Sequence, residues 1–261
     1  MGIGVLKFVP VFVLVVFRLA GMMLFAPLFG SIRVPKRVRV MLVVVLAMGL
    51  TPTITPPASL PDSPWELALG IGSEMAFGLA MGMVMSFAFI AAQWAGEIIG
   101  QQMGFNLSEV FDPQFGAQGS LIGDIYFMLT QVVFLLVGGH RAMIQGVRAS
   151  FEALPLLSLG IDEPLLHTMT GLFTAATLLA MQLAAPMLVT AMVVDLVLGL
   201  IGKTMPQMNV MAAGLTLKAA IGMLVVILGV GLSVQVISTS VSDSMATVWE
   251  GWRTPRQVPS P

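Results

Sequence analysis

Five charged side chains stand inside long apolar stretches: Arg18, Glu74, Asp124, Asp195 and Lys218. A charge at the centre of a bilayer costs roughly 2.5 kcal/mol or more on insertion scales, so such residues pair or face a polar cavity. Two chemistries fit them. In the first, Glu74, Asp124 and Asp195 couple cation movement to transport, as in a six-span secondary transporter. In the second, the charges pair structurally across packed helices or subunits, since two cations and three anions nearly cancel. Both stay open at this stage. Hydrolytic chemistry finds little to use. The two histidines are His140, behind Gly138-Gly139, and His167, at the start of another apolar stretch. There is no His-Glu-x-x-His pair for a metal and no glycine loop for a phosphate. With no cysteine in the chain, thiolate metal sites, cysteine nucleophiles and disulfides are excluded. The sequence therefore points to no catalytic residue, no cofactor and no metal.

The residues that position these charges are small ones. Gly78 and Gly82 are four apart, as are Gly96, Gly100 and Gly104, and Gly119 and Gly123. Glycines at that spacing let helix backbones approach closely. The run 96–104 also carries Glu97, Gln101 and Gln102, so its close-packed face is expected to meet protein rather than lipid. Met is abundant, at 21 residues, and suits either adaptable surfaces or ordinary core filling.

The elements follow from composition. Of 261 residues, 57% are apolar and 10% are charged, and mean hydropathy is +0.96. Soluble globular domains run nearer ~25% charged. A net charge of -1 offers no excess of cations for a phosphate backbone, which argues against nucleic acid as a partner. Six apolar stretches, roughly 8–30, 39–56, 67–92, 121–139, 165–201 and 209–237, predict an all-α, membrane-associated fold of about six long helices. The fifth would extend ~55 Å as one helix, and Pro186 near its middle makes it either a kinked long helix or two shorter ones. The connections are a basic one (31–40, with Arg33, Lys36, Arg37 and Arg39), a proline-rich one (51–64), a Gly/Gln/Phe-rich one (93–120) and a mixed polar one (140–164). A single domain over 1–241 and a polar, flexible tail over 242–261 are expected. The first stretch is a poor cleavable signal and reads as a retained segment. Alternating six spans divides the loops into two sets that each hold five basic residues; the first loop alone would place 31–40 in the cytoplasm and the N-terminus outside, and the tie hints at a non-standard insertion.

Two stretches are specific enough to resemble a known family. One is Gly96-Glu-Ile-Ile-Gly-Gln-Gln-Met-Gly-Phe105, continuing to Asp112-Pro113. The other runs from Ala185-Pro186 through Asp195-Leu-Val-Leu-Gly-Leu-Ile-Gly-Lys203 and Met205-Pro206-Gln-Met-Asn-Val210 to Gly214-Leu-Thr-Leu-Lys218. Together they resemble the FliR family of flagellar biosynthetic proteins, homologous to the T-component of injectisomes, over nearly the whole chain. Two positions depart from the family pattern. Lys203 stands where Arg is common, and Leu215-Thr216-Leu217-Lys218 stands where Phe-Pro-Leu-Lys is common. The second departure removes a proline break before Lys218.

The resemblance implies a non-enzymatic subunit of a type III protein export gate. Kinked helical hairpins would pack with FliP-like and FliQ-like subunits, near an FlhB-like switch subunit, in the inner membrane at the flagellar basal body. Unfolded flagellar proteins would pass through. A loop after Met103 would help plug the channel, with Phe105, Phe111 and Phe115 as sealing rings and Asp112-Pro113 setting the turn. Gly96, Gly100, Gln102, Met103, Gly104, Lys203, Pro206, Gln207, Asn209 and Lys218 are candidates for subunit contact. Lys203 and Lys218 would meet carboxylates on neighbouring Q-type subunits. Arg18, Glu74, Asp124 and Asp195 are the candidate buried charges.

Overall fold

A computed structural model describes residues 2–27, 34–57, 63–105, 120–157, 163–205, 207 and 209–253. All regular structure among them is helical: α1 (Gly2–Phe25), α2 (Lys36–Leu50) with a 3-10 turn at Thr51–Thr53, α3 (Pro64–Met103), α4 (Leu121–Leu136), α5 (Gly139–Ala153), α6 (Glu163–Thr204) and α7 (Val210–Arg253). The protein is all-α and membrane-associated, as its composition predicts. Among the described residues the candidate spans number four or five. Four described helices, α1, α3, α6 and α7, are long and apolar enough to cross a membrane, and α4 with α5 forms a bent pair that passes the same test together. With 15 residues, α2 is about 22 Å long and falls short of a ~30 Å hydrocarbon core.

Two connections and the end of the last stretch differ from the sequence reading, and the fifth stretch takes one of its two expected forms. The stretch 93–103 is not a connection but the last turns of α3. Its polar Glu97 and Gln101 share one face while Ala92, Ala95, Ile99 and Met103 bury the other. The polar segment 140–164 contains α5, an amphipathic helix whose Met143, Val147 and Phe151 point into the core. The fifth stretch is one helix of 42 residues with Pro186 inside it. The Thr190 hydroxyl donates to the Pro186 carbonyl at 2.7 Å, one of several Thr hydroxyls bonded back into their own helix. That satisfies polar groups where lipid offers no partner. The last stretch also runs further than 237, since α7 continues helical to Arg253.

The chain divides into two compact units. The first comprises residues 1–87, 138–172 and 242–261. Its core joins Leu14, Leu19, Met22 and Met23 of α1, Val43 and Ala47 of α2, Phe77 and Met81 of α3, and Met143, Val147 and Phe151 of α5. The second comprises 88–137 and 173–241. There Phe89 of α3 meets Phe127 and Phe134 of α4 edge-on, at ring-centroid distances of 5.9 and 5.3 Å. Trp94 of α3 meets Phe173 of α6 in the same manner.

Candidate functional site

In the first unit, glycine spacing brings two helices close enough to join two buried charges. Glu74, Gly78 and Gly82 recur every four residues and so form one stripe of α3. A Cβ at Gly78 would stand 2.9 Å from the Arg18 carbonyl carbon and 3.0 Å from the Met22 nitrogen. One at Gly82 would stand 3.1 Å from the Met22 Cα, and one at Gly21 would stand 2.9 Å from the Leu79 nitrogen. No side chain fits at these three positions, so α1 and α3 pack backbone on backbone and run in the same direction.

That approach sets Arg18 beside Glu74, both essentially without solvent exposure, at 1% and 0%. The Arg18 Nε donates to Glu74 Oε2 at 2.5 Å. Its Nη1 donates to the carbonyls of Ser150 at 3.3 Å and Leu154 at 3.2 Å, at the C-terminal end of α5. The guanidinium also lies over the rings of Phe77 and Phe151, 4.9 and 4.3 Å from their centroids. Glu74 uses its other oxygen, Oε1, to accept the backbone N–H of Leu157 at 3.0 Å. Leu157 holds a left-handed backbone, φ +67°, which strains a branched residue by roughly 1–2 kcal/mol. Its side chain fills the space over Gly70, against which a Cβ would collide. A cation at the last carbonyls of α5 also complements the helix dipole. The pair therefore ties α1, α3 and the exit from α5 into one unit. Its bonds are closed on protein groups, apart from Arg18 Nη2, which has no hydrogen-bond partner.

The other expected buried charges are placed differently. Asp124 is exposed in the first turn of α4, where the helix N-terminus favours an anion, and Ser120 caps that turn by accepting from Gly123 N–H at 3.3 Å. Asp195 is 55% exposed and is paired with Lys218 at 2.6 Å. Both anions are therefore exposed on this chain taken alone. The carboxylate that Lys218 meets within this chain is Asp195, on the facing helix. Leu198 of α6 lies over Gly214 of α7, so these two helices form an antiparallel hairpin.

The remaining candidates sit at helix ends in the second unit. Gly96 packs on the Gly123 backbone, since a Cβ there would stand 2.6 Å from the Gly123 Cα. Its close contact is thus internal to the chain. Gly100 and Met103 are buried, Gln102 and Gly104 are half-buried, and Phe105 is exposed. Gly104 takes φ +78°. Its N–H donates to the Gln101 carbonyl, and the Phe105 N–H donates to the Gly100 carbonyl, both at 3.0 Å. These two bonds are a Schellman cap, which needs a left-handed residue and explains the glycine. Lys203 is exposed in the last turn of α6, a position that complements the helix dipole. Gln207 is exposed, and Asn209 caps α7 by accepting the Ala212 N–H at 3.1 Å on its side-chain oxygen. Phe111, Asp112, Pro113, Phe115 and Pro206 lie outside the described residues. The sequence reading missed the Ser150 and Leu154 carbonyls as partners of Arg18. The signal available for them was the apolar repeat Met143, Val147, Phe151, which marks α5 as a helix with a C-terminus to cap.

Among the described residues, no three His, Cys, Asp or Glu side chains gather closely enough to hold a metal ion. His140 is half-buried in the first turn of α5, and its Nδ1 has no hydrogen-bond partner.

Comparison with known proteins points to the same family. The chain is 31% identical over 251 residues to the flagellar biosynthetic protein FliR of Bacillus subtilis, covering 94% of this chain and 95% of that protein. It is 27% identical over 237 residues to the flagellar biosynthetic protein FliR of Aquifex aeolicus, covering 91% and 92%. The surface presentation of antigens protein SpaR of Shigella flexneri is 26% identical over 216 residues, covering 81% and 82%. The profile of the family described as bacterial export proteins, family 1, matches residues 9–244, and the chain belongs to that family.

Proposed function

We propose that this chain is a non-enzymatic core subunit of the flagellar type III protein export gate, which assembles with FliP-like and FliQ-like subunits in the bacterial inner membrane. The observation that carries the reading is membership of the bacterial export family over residues 9–244, with a flagellar FliR relative matched over nearly the full length of both chains. The surface of the second unit supports it. Only 22% of the apolar window of α6 and 17% of that of α7 is buried within the chain, against 56% for α3. Val189, Met192, Val193, Leu196 and Leu200 face outward along α6, and Leu224, Ile227 and Leu228 along α7. Apolar faces of that extent call for lipid or other apolar subunits.

In this reading the segment after Met103 plugs the resting channel, with Phe105, Phe111 and Phe115 as its rings and Asp112-Pro113 at its turn. Unfolded flagellar proteins are the cargo, and an FlhB-like switch subunit stands beside the gate. The SpaR relative favours a second reading, the T-component of an injectisome gate. The transporter reading loses one of its three carboxylates, because both Glu74 oxygens are engaged by protein donors.

The test is extraction of the tagged chain in mild detergent from cells that express its neighbours, followed by the mass of the intact complex. A large hetero-oligomer holding one copy of this chain and two other small apolar proteins is expected. A stable monomer or homodimer would overturn the proposal.

A further inference from the structure

We infer that Met103 and Gly222 form a packing socket that fixes the end of α3 and thereby sets the position of Phe105. Through that position the socket sets how tightly the resting channel seals. The inference rests on the export-gate reading.

Met103 is the last residue of α3 and is 1% exposed. Phe105, only two residues on, is exposed at 39%. Facing Met103 is Gly222, a buried residue of α7. A Cβ at Gly222 would stand 2.5 Å from Met103 Cγ, 3.0 Å from its Sδ and 3.0 Å from the Cε of Met187 on α6. The thioether therefore occupies the volume that any side chain at 222 would take, and Met187, itself 2% exposed, closes the other side. An unbranched, polarisable side chain is suited to filling such a gap.

The nearest atom to that Cβ is Cγ, the inner end of the methionine chain. Rotation about the outer bonds does not clear it, so a side chain at 222 forces buried Met103 into another χ1 rotamer or displaces the end of α3. The displacement reaches Phe105 with little loss. Two residues span at most about 7 Å, and the Schellman bonds at Gly104 hold the intervening turn in one geometry. The hairpin that carries the socket is held in turn by the Lys218–Asp195 pair, one turn before Gly222 on α7. Met103 and Gly222 are thus positioning residues, and Phe105 is the residue they position.

Three readouts on the full chain, co-expressed with its neighbours, test this. The chain has no cysteine, so Met103→Cys with Gly222→Cys reports the packing alone. The new sulfur at 103 takes the place of Cγ, and a cross-link is expected under mild oxidation; its absence overturns the socket. Ion leakage through resting cells is then measured for Gly222→Ala and for Met103→Ala, with the yield of intact complex measured in parallel. Each is expected to raise leakage several-fold at near-normal yield. The double variant, in which the methyl at 222 partly refills the space left at 103, is expected to leak less than either. If Gly222→Ala prevents assembly, Met103→Ala decides, because it adds no bulk. Leakage unchanged with the hetero-oligomer intact, or a double variant as leaky as the sum of the singles, overturns the inference. A chain that cross-links but purifies without partners overturns instead the gate reading on which it rests.

Discussion

Arg18 carries its charge in the middle of an apolar helix, and the structure shows what makes that tolerable. One carboxylate, two carbonyls and two aromatic rings surround the guanidinium. Removing one member of a buried pair leaves the other uncompensated, which costs roughly 3–5 kcal/mol, whereas replacing both by apolar groups is often near neutral. Arg18→Met or Glu74→Gln alone should therefore lower the melting temperature in detergent and the yield of folded chain steeply. Arg18→Met combined with Glu74→Met should lose less than Arg18→Met alone. Equal losses in the single and double variants would show that the ion pair is not the tie. At this scale the sequence makes the charges legible, because a charged residue in an apolar stretch is conspicuous. It does not make their partners legible. Arg18 and Glu74 are 56 residues apart and meet only because α1 and α3 touch. Asp124 and Asp195 look alike in sequence, yet one opens a helix and the other lies on an exposed face.

Helix contact is set by where glycine stands on a face. Gly72 and Gly78 lie on the same helix, but a Cβ at Gly72 meets nothing within 4 Å, while one at Gly78 meets the backbone of α1. Gly78→Ala should separate α1 from α3, stretch the Arg18–Glu74 bond and destabilise the chain by roughly 1–3 kcal/mol, the usual cost of overpacking. Gly72→Ala should be neutral or slightly stabilising, since alanine is the better helix former. Thermal unfolding of the two variants side by side measures the difference, and equal melting would refute the close crossing. The glycines at these crossings are legible from four-residue spacing, Gly78 with Gly82 and Gly119 with Gly123, but the backbone met at each crossing is not. The extent of α3 is less legible. Its last turns carry Glu97, Gln101 and Gln102, and a search for uninterrupted apolar residues ends before them. The amphipathic α5 escapes the same search, because only one of its faces is apolar.

For the molecule as a whole, the outward apolar faces of α6 and α7 and the exposed ring of Phe105 are surfaces that a single chain leaves uncovered. If Phe105, Phe111 and Phe115 seal a channel by excluding water, their joint replacement by Ala should raise ion leakage in resting cells while complex yield holds. Unchanged leakage with normal assembly would reduce them to anchors. By itself the sequence determined the helical, membrane-associated class, the family and the set of residues in need of explanation. Composition, local periodicity and motif spacing are properties of neighbouring residues, and the class and the set of residues require nothing else, whereas the family required likeness to known relatives. Tertiary structure alone decided which charges are buried, that Lys218 has Asp195 for its partner, that α5 supplies carbonyls to Arg18, and that Met103 lies against Gly222. Those are contacts between segments as many as 136 residues apart. They depend on the crossing of whole helices, which no local pattern encodes.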